Sequence, residues 1–176
     1  MNRKVVFDCD GCLADFEGAF CCEFGFNNRE LAHLEYRYPN KARQINKFIN
    51  DGFVYKNLQP HHLGLDIVEW LNEVGFEVHI VTSRPFGMER LTIDWLSRHG
   101  VKFSSFTLDR SKTGAIALAR PLCAVDDLFS VHQALLLHNI PTILIAHPWN
   151  NYIGENITRI NNLSQFKECF SELLSN

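Results

Sequence analysis

The run Lys4-Val5-Val6-Phe7 is apolar and β-rich, and it meets acidic residues and Gly11, which predicts a buried strand and a turn. Asp8 then stands at the carboxyl end of that strand. From Phe16 to Phe53 the texture changes to polar and aromatic residues at helical spacing. Arg29, Arg37, Lys41, Arg43 and Lys47 fall there among few acids, and the stretch reads as an inserted helical segment. Pro60 closes it. Leu65, Ile67, Val68 and Leu71 fit an amphipathic helix ending near Gly75, followed by a strand over residues 77–81 that runs into Thr82-Ser83-Arg84-Pro85. Leu91, Ile93, Trp95 and Leu96 suit another helix, with Gly100 as its C-terminal cap.

Further on, the pattern predicts a strand over residues 103–108, a short helix over 112–118 and a strand over 122–125 that stops at Asp126-Asp127. A helix over 131–137, a strand over 142–146 and a packing helix complete the chain, with Ser164 as N-cap before Phe166, Cys169, Phe170 and Leu173. Strands alternating with helices over short connections imply an α/β fold, a parallel sheet with helices on both faces. Sites in such sheets lie beyond the carboxyl ends of the strands, where Asp8, Thr82 and Asp126-Asp127 would gather. No internal repeat or low-complexity stretch competes with that organisation.

At 176 residues the chain fits one domain with a modest insertion. A hydrophobic content of 46% beside 21% charged residues excludes a disordered or fibrous class. The net charge of -3 offers no footprint for wrapping nucleic acid, but leaves small anionic substrates open. The first residues reach Asp8 after three apolar positions, too few for a signal-peptide core, and no run is long enough to span a bilayer. A cytoplasmic location and six reduced cysteines are the corresponding expectations.

DCDGCLADF, residues 8–16, holds two chemistries side by side. Cys9 and Cys12 have the spacing of a zinc half-site or redox pair, whereas Asp8 and Asp10 have that of a magnesium-dependent phosphoryl site. Alternation along an extended strand sends Asp8 and Asp10 one way and Cys9 the other, toward the core. A zinc site should find a second CxxC or a spaced histidine pair, but Cys21-Cys22 and His61-His62 are adjacent. A thioredoxin-type pair opens a helix without flanking aspartates. The DxD has partners instead: magnesium takes carboxylates, carbonyls and phosphate oxygens, and Asp8, the main-chain carbonyl of Asp10 and one of Asp126-Asp127 would supply them.

The segments VVFDCDG, HIVTS, Lys112 and CAVDD, in that order, resemble the four motifs of the haloacid dehalogenase superfamily of phosphohydrolases across nearly the whole chain. Within it, DGCLADFEGAF, Gly52-Phe53, VTSRP, DRSKT and HPWN are similar to stretches of the 5'(3')-deoxyribonucleotidases. The resemblance implies a Rossmann-like core of residues 1–16 and 54–176, with a small helical cap over 17–53. It implies Asp8 as nucleophile, Asp10 as the group that protonates the leaving oxygen and later activates water, and Mg2+ as cofactor. Asp127 would bind the metal directly with Asp126 one shell out, Lys112 would offset charge, and the Thr82 hydroxyl and Ser83 N–H would hold a phosphoryl oxygen. Phe16 corresponds to an aromatic residue against the substrate base, Arg110 to a basic substrate-side residue, and Arg84 falls where it can meet phosphate.

The implied activity is a phosphomonoesterase of the 5'-nucleotidase type acting on a small nucleotide, with no membrane or nucleic-acid partner and a homodimer left open. Sugar phosphates, nucleic acid 3'-phosphate ends, and a non-catalytic binding protein on the same fold are the alternatives. The HPWN stretch, residues 147–150, has no role derivable from the pattern.

Overall fold

Side-chain alternation on β1 (Lys4–Phe7) divides the interior into two layers. Val5 and Phe7 join a large cluster with Ile67, Val68, Leu71, Trp95, Phe166 and Phe170, while Val6 joins Ile116, Val131, Leu135 and Ile140 on the opposite face. The computed structural model describes residues 2–25, 42–151 and 157–175.

Beside β1 lie β2 (Glu77–Thr82) and β4 (Cys123–Asp126), flanked in turn by β3 (Ser105–Leu108) and by β5 (Thr142–Ile145) with β6 (Arg159–Ile160). The order is β3-β2-β1-β4-β5-β6 and every pairing is parallel. Val5 faces Val78 on one side and Cys123 on the other, and this register aligns the carboxyl ends of β1, β2 and β4. The Asp8 N–H continues the ladder by donating to the Val125 carbonyl at 3.0 Å.

Helices α4 (His62–Glu73), α5 (Glu89–Arg98) and α8 (Leu163–Ser175) supply the large cluster; α6 (Lys112–Ala119) and α7 (Phe129–Leu136) cover the other face. Trp95 and Leu96 of α5 are buried as the spacing implied, but Ile93 faces outward. His99 is the C-cap of α5, and Gly100 follows in the left-handed region at φ +72°, with the Val101 N–H donating back to Leu96. Asn162, not Ser164, caps α8: its Oδ1 accepts the Gln165 N–H at 3.0 Å, which leaves Ser164 inside the first turn. β6 went unanticipated because two residues carry no readable period. No helix among the described residues is long and apolar enough to cross a membrane.

Between β1 and α4 the described residues form α1 (Phe16–Phe24), α2 (Ala42–Ile49) and α3 (Gly52–Asn57). Their cohesion is aromatic. Phe20, Ile45 and Phe48 make a separate small cluster, with the Phe20 and Phe48 rings edge to face at 5.3 Å. Arg43 and Lys47 are exposed on α2, whereas Arg29, Arg37 and Lys41 lie outside the described residues.

Candidate active site

After β1 the chain turns back on itself: the N–H groups of Leu13 and Ala14 both donate to the Cys9 carbonyl, and the Gly11 N–H donates to Ala14. Gly11 adopts φ +75°, and a Cβ there would sit 2.4 Å from Asp127 Oδ2, so glycine is required for both conformation and space. Cys9 and Cys12 are wholly buried in the large cluster, and none of the six cysteines is bonded to another. Burial pushes both thiols up, away from the thiolate that metal or redox chemistry needs.

The carboxylates behave differently. Lys112, the first residue of α6 and buried, bridges two of them: its Nζ lies 2.7 Å from Asp8 Oδ2 and 2.8 Å from Asp126 Oδ2. The other oxygen of Asp126 accepts the N–H groups of Asp127 and Leu128, both at 3.0 Å, so that side chain is engaged at both ends. Asp127 Oδ2 accepts the Trp149 indole N–H at 2.9 Å. Asp8, Asp126 and Asp127 offer oxygens that all lie within 4.8 Å of one another.

Crowding of acids under little water governs the electrostatics. Burial foremost, opposed by Lys112 and reinforced by Asp126 and Asp10, pushes the Asp8 carboxyl up to about 7. Burial, with Asp126, Asp8 and Glu17 nearby, holds Asp127 well above the usual carboxylate range, with Lys112 acting against it. Three buried carboxylates face one buried ammonium, and the excess negative charge, carried on hard oxygen donors, fits a divalent cation such as Mg2+.

On the β2 side, Thr82 is buried at the strand end and its hydroxyl accepts the Arg84 N–H at 3.4 Å. Ser83 is exposed beside it. The Arg84 side chain forks onto Asp10, with Nε 2.9 Å from Oδ2 and Nη2 2.6 Å from Oδ1. Phe16, half-buried, stacks on Tyr55 at 5.6 Å. A cavity of about 500 Å³ opens between Asp10, Phe16, Tyr55, Asn46, Asn50 and the exposed Arg110. A hollow of about 610 Å³ also lies between α4 and the end of α5, but none of the carboxylates above lines it.

Several residues had no role readable from sequence. His147 places Nε2 2.7 Å from the Gly11 carbonyl, which requires the tautomer protonated there. The Asn150 amide donates to the carbonyls of Asp127 and Ile145, and its Oδ1 accepts the His147 N–H. HPWN thus fastens the Gly11 turn and the Asp127 backbone. Its signal was a polar run directly after a strand's carboxyl end, where site-supporting groups collect. Glu17, in the first turn of α1, has Oε2 buried without a hydrogen-bond partner among the described residues, and burial foremost, with Asp10, Asp15 and Asp8 adding to it, pushes its carboxyl up to about 8.

No family model matches the sequence, and no curated protein is significantly similar to it. Solved structures are similar in fold. A HAD-family hydrolase from Deinococcus radiodurans, solved with phosphate and sodium, has a TM-score of 0.65 at 13% identity over 98% of this chain and 96% of its own. A predicted phosphatase from Clostridium acetobutylicum gives 0.63 at 15% identity over 100% of both chains. The L-2-haloacid dehalogenase from Xanthobacter autotrophicus gives 0.63 at 10% identity over 97% of this chain and 99% of its own. The parallel sheet with helices on both faces is the fold of these hydrolases.

Proposed function

We propose that the protein is a magnesium-dependent phosphomonoesterase working through an aspartyl-phosphate on Asp8, with nucleoside monophosphates as substrates. The observation that carries this reading is Lys112 held between Asp8 and Asp126 beside Asp127, with Asp10 two positions after Asp8, at the carboxyl ends of adjacent strands. Similarity of fold does not choose the reaction, because a phosphatase and a dehalogenase are equally similar. Asp10 supports the phosphatase reading: a departing halide needs no proton, whereas a departing alkoxide does.

In this reading a Asp8 oxygen attacks phosphorus as the bond to the leaving oxygen breaks, and Asp10 gives that oxygen its proton. Asp10 then takes a proton from water as the water attacks, releasing phosphate and restoring Asp8. Lys112 keeps Asp8 oriented and offsets the charge gathered there. Thr82 and Ser83 hold a phosphoryl oxygen. Asp8, the Asp10 carbonyl and Asp127 would hold Mg2+, which when bound neutralises charge on the phosphoryl oxygens. Asp126, already engaged at both oxygens, serves as support.

The leaving group is read from the cavity above Asp10. The Phe16 and Tyr55 rings, the Asn46 and Asn50 amides and the cationic Arg110 suit a flat, polar-edged base better than a sugar alone. Within the proposed cap over 17–53, of which residues 26–41 lie outside the described residues, helices α1 and α2 would limit water and hinder polymeric substrates. Phosphate release from deoxy- and ribonucleoside monophosphates and from sugar phosphates tests the assignment. Preference for nucleotides is expected, and equal turnover of sugar phosphates would remove the nucleotide assignment.

A further inference from the structure

We propose that Arg84 is a positioning residue for Asp10, and that Tyr55 of α3 holds Arg84 in place; the proposal rests on Asp10 being the proton-transfer group. The guanidinium is fully buried, with its side chain 0% exposed, while Asp10 is 23% exposed at the cavity. Its fork takes both carboxylate oxygens, which fixes the plane of the carboxyl group as well as its position.

The fork itself is fastened from two sides. Nη1 donates to the Thr92 hydroxyl at 3.1 Å, and that hydroxyl donates to the Met88 carbonyl at 2.8 Å, anchoring the guanidinium to the start of α5. Below it, the Tyr55 ring lies 4.7 Å from the guanidinium carbon. The Tyr55 hydroxyl donates to the Ile49 carbonyl at 2.7 Å, so the ring is tied to the end of α2. Ile49, Tyr55, Arg84 and Asp10 thus form one chain of contacts from the inserted helices to the reacting centre. Phe16 stacks on the same tyrosine, so a ligand seated in the cavity touches the chain that orients Asp10.

An unheld carboxyl would rotate, and proton transfer needs it aimed first at the leaving oxygen and then at water. Loss of a positioning ion pair therefore slows the proton-transfer steps selectively, which loss of a merely structural ion pair would not. With p-nitrophenyl phosphate the leaving group departs without a proton, so only the second step, water attack, depends on Asp10.

The test is rapid mixing of wild type, Arg84→Lys and Tyr55→Leu with p-nitrophenyl phosphate and Mg2+, followed by acid quench and mass analysis. Arg84→Lys keeps the charge and loses the fork; Tyr55→Leu keeps the fork and loses the ring. The expected result for Arg84→Lys is a burst of p-nitrophenolate close to the wild-type rate and a steady state about 100-fold slower, with phosphoryl group accumulating on Asp8. Tyr55→Leu should shift the same ratio in the same direction by less. Burst amplitude counts folded sites, so partial misfolding lowers the amplitude and leaves the ratio of rates untouched. Burst and steady state falling by the same factor, or neither moving, overturns the proposal. A wild type that releases p-nitrophenolate with no phosphoryl group on Asp8, or releases none, overturns the reading of the site and the proposal with it.

Discussion

The Lys112 ammonium lies 2.7 Å from Asp8 Oδ2 with both side chains buried, and it reaches Asp126 from the same place. Such an ammonium is a counter-charge that nothing else among the described residues supplies to this pair. Lys112→Met should lower kcat at least about 100-fold. It should also destabilise the metal-free fold by about 3–5 kcal/mol, since two buried carboxylates lose their partner. Denaturant titration beside initial rates reads both effects.

Magnesium should change the pH dependence of stability. Asp8 at about 7, Glu17 at about 8 and Asp127 well above the ordinary range all bind protons more tightly folded than unfolded. Their contribution is present below the ordinary carboxylate range and is lost as pH rises toward 7 and 8. His99 and His132, held down by burial, slope the other way with or without metal. In EDTA the melting temperature should therefore fall from pH 5 to pH 8 relative to a sample in excess Mg2+. Parallel curves in the two samples would contradict a cation among these carboxylates.

Trp149 donates its indole N–H to Asp127 Oδ2 at 2.9 Å. Trp149→Phe keeps an aromatic side chain, though a smaller one, and removes the N–H. The Mg2+ concentration for half-maximal activity should rise about 10-fold, with the melting temperature little changed. An unchanged magnesium requirement would show that this bond does not orient a metal ligand.

Gly11→Ala introduces a Cβ where Asp127 Oδ2 stands, at a φ of +75° that alanine resists. A loss of about 1–3 kcal/mol in denaturant stability should accompany displaced Asp127 and reduced activity. Full activity in the variant would mean that the turn and Asp127 are not packed as described.

What was legible in the sequence was whatever a local period or a chain end carries. Val5, Val6 and Phe7 run into Asp8, and Cys123, Ala124 and Val125 run into Asp126, so the strands and their terminal acids could be read together. Lys112 was readable through motif order. The Arg84 fork was not, because its partner lies 74 residues away and a basic residue beside a phosphate site has many uses. Trp149 and Asn150 act through an indole N–H and an amide on a neighbouring strand's end, contacts that no spacing encodes. Ser164 and Asn162 are both good N-caps, and only the geometry at Gln165 chooses between them.

The most direct measurement is acid quench of the enzyme during turnover of a nucleoside monophosphate with Mg2+, with peptide mapping of the trapped phosphoryl group, in wild type and Asp8→Asn. One phosphoryl group is expected on Asp8 in the wild type, none in the variant, and no phosphate release by the variant. Sustained phosphate release by Asp8→Asn, or wild-type turnover with Asp8 never phosphorylated, would contradict it.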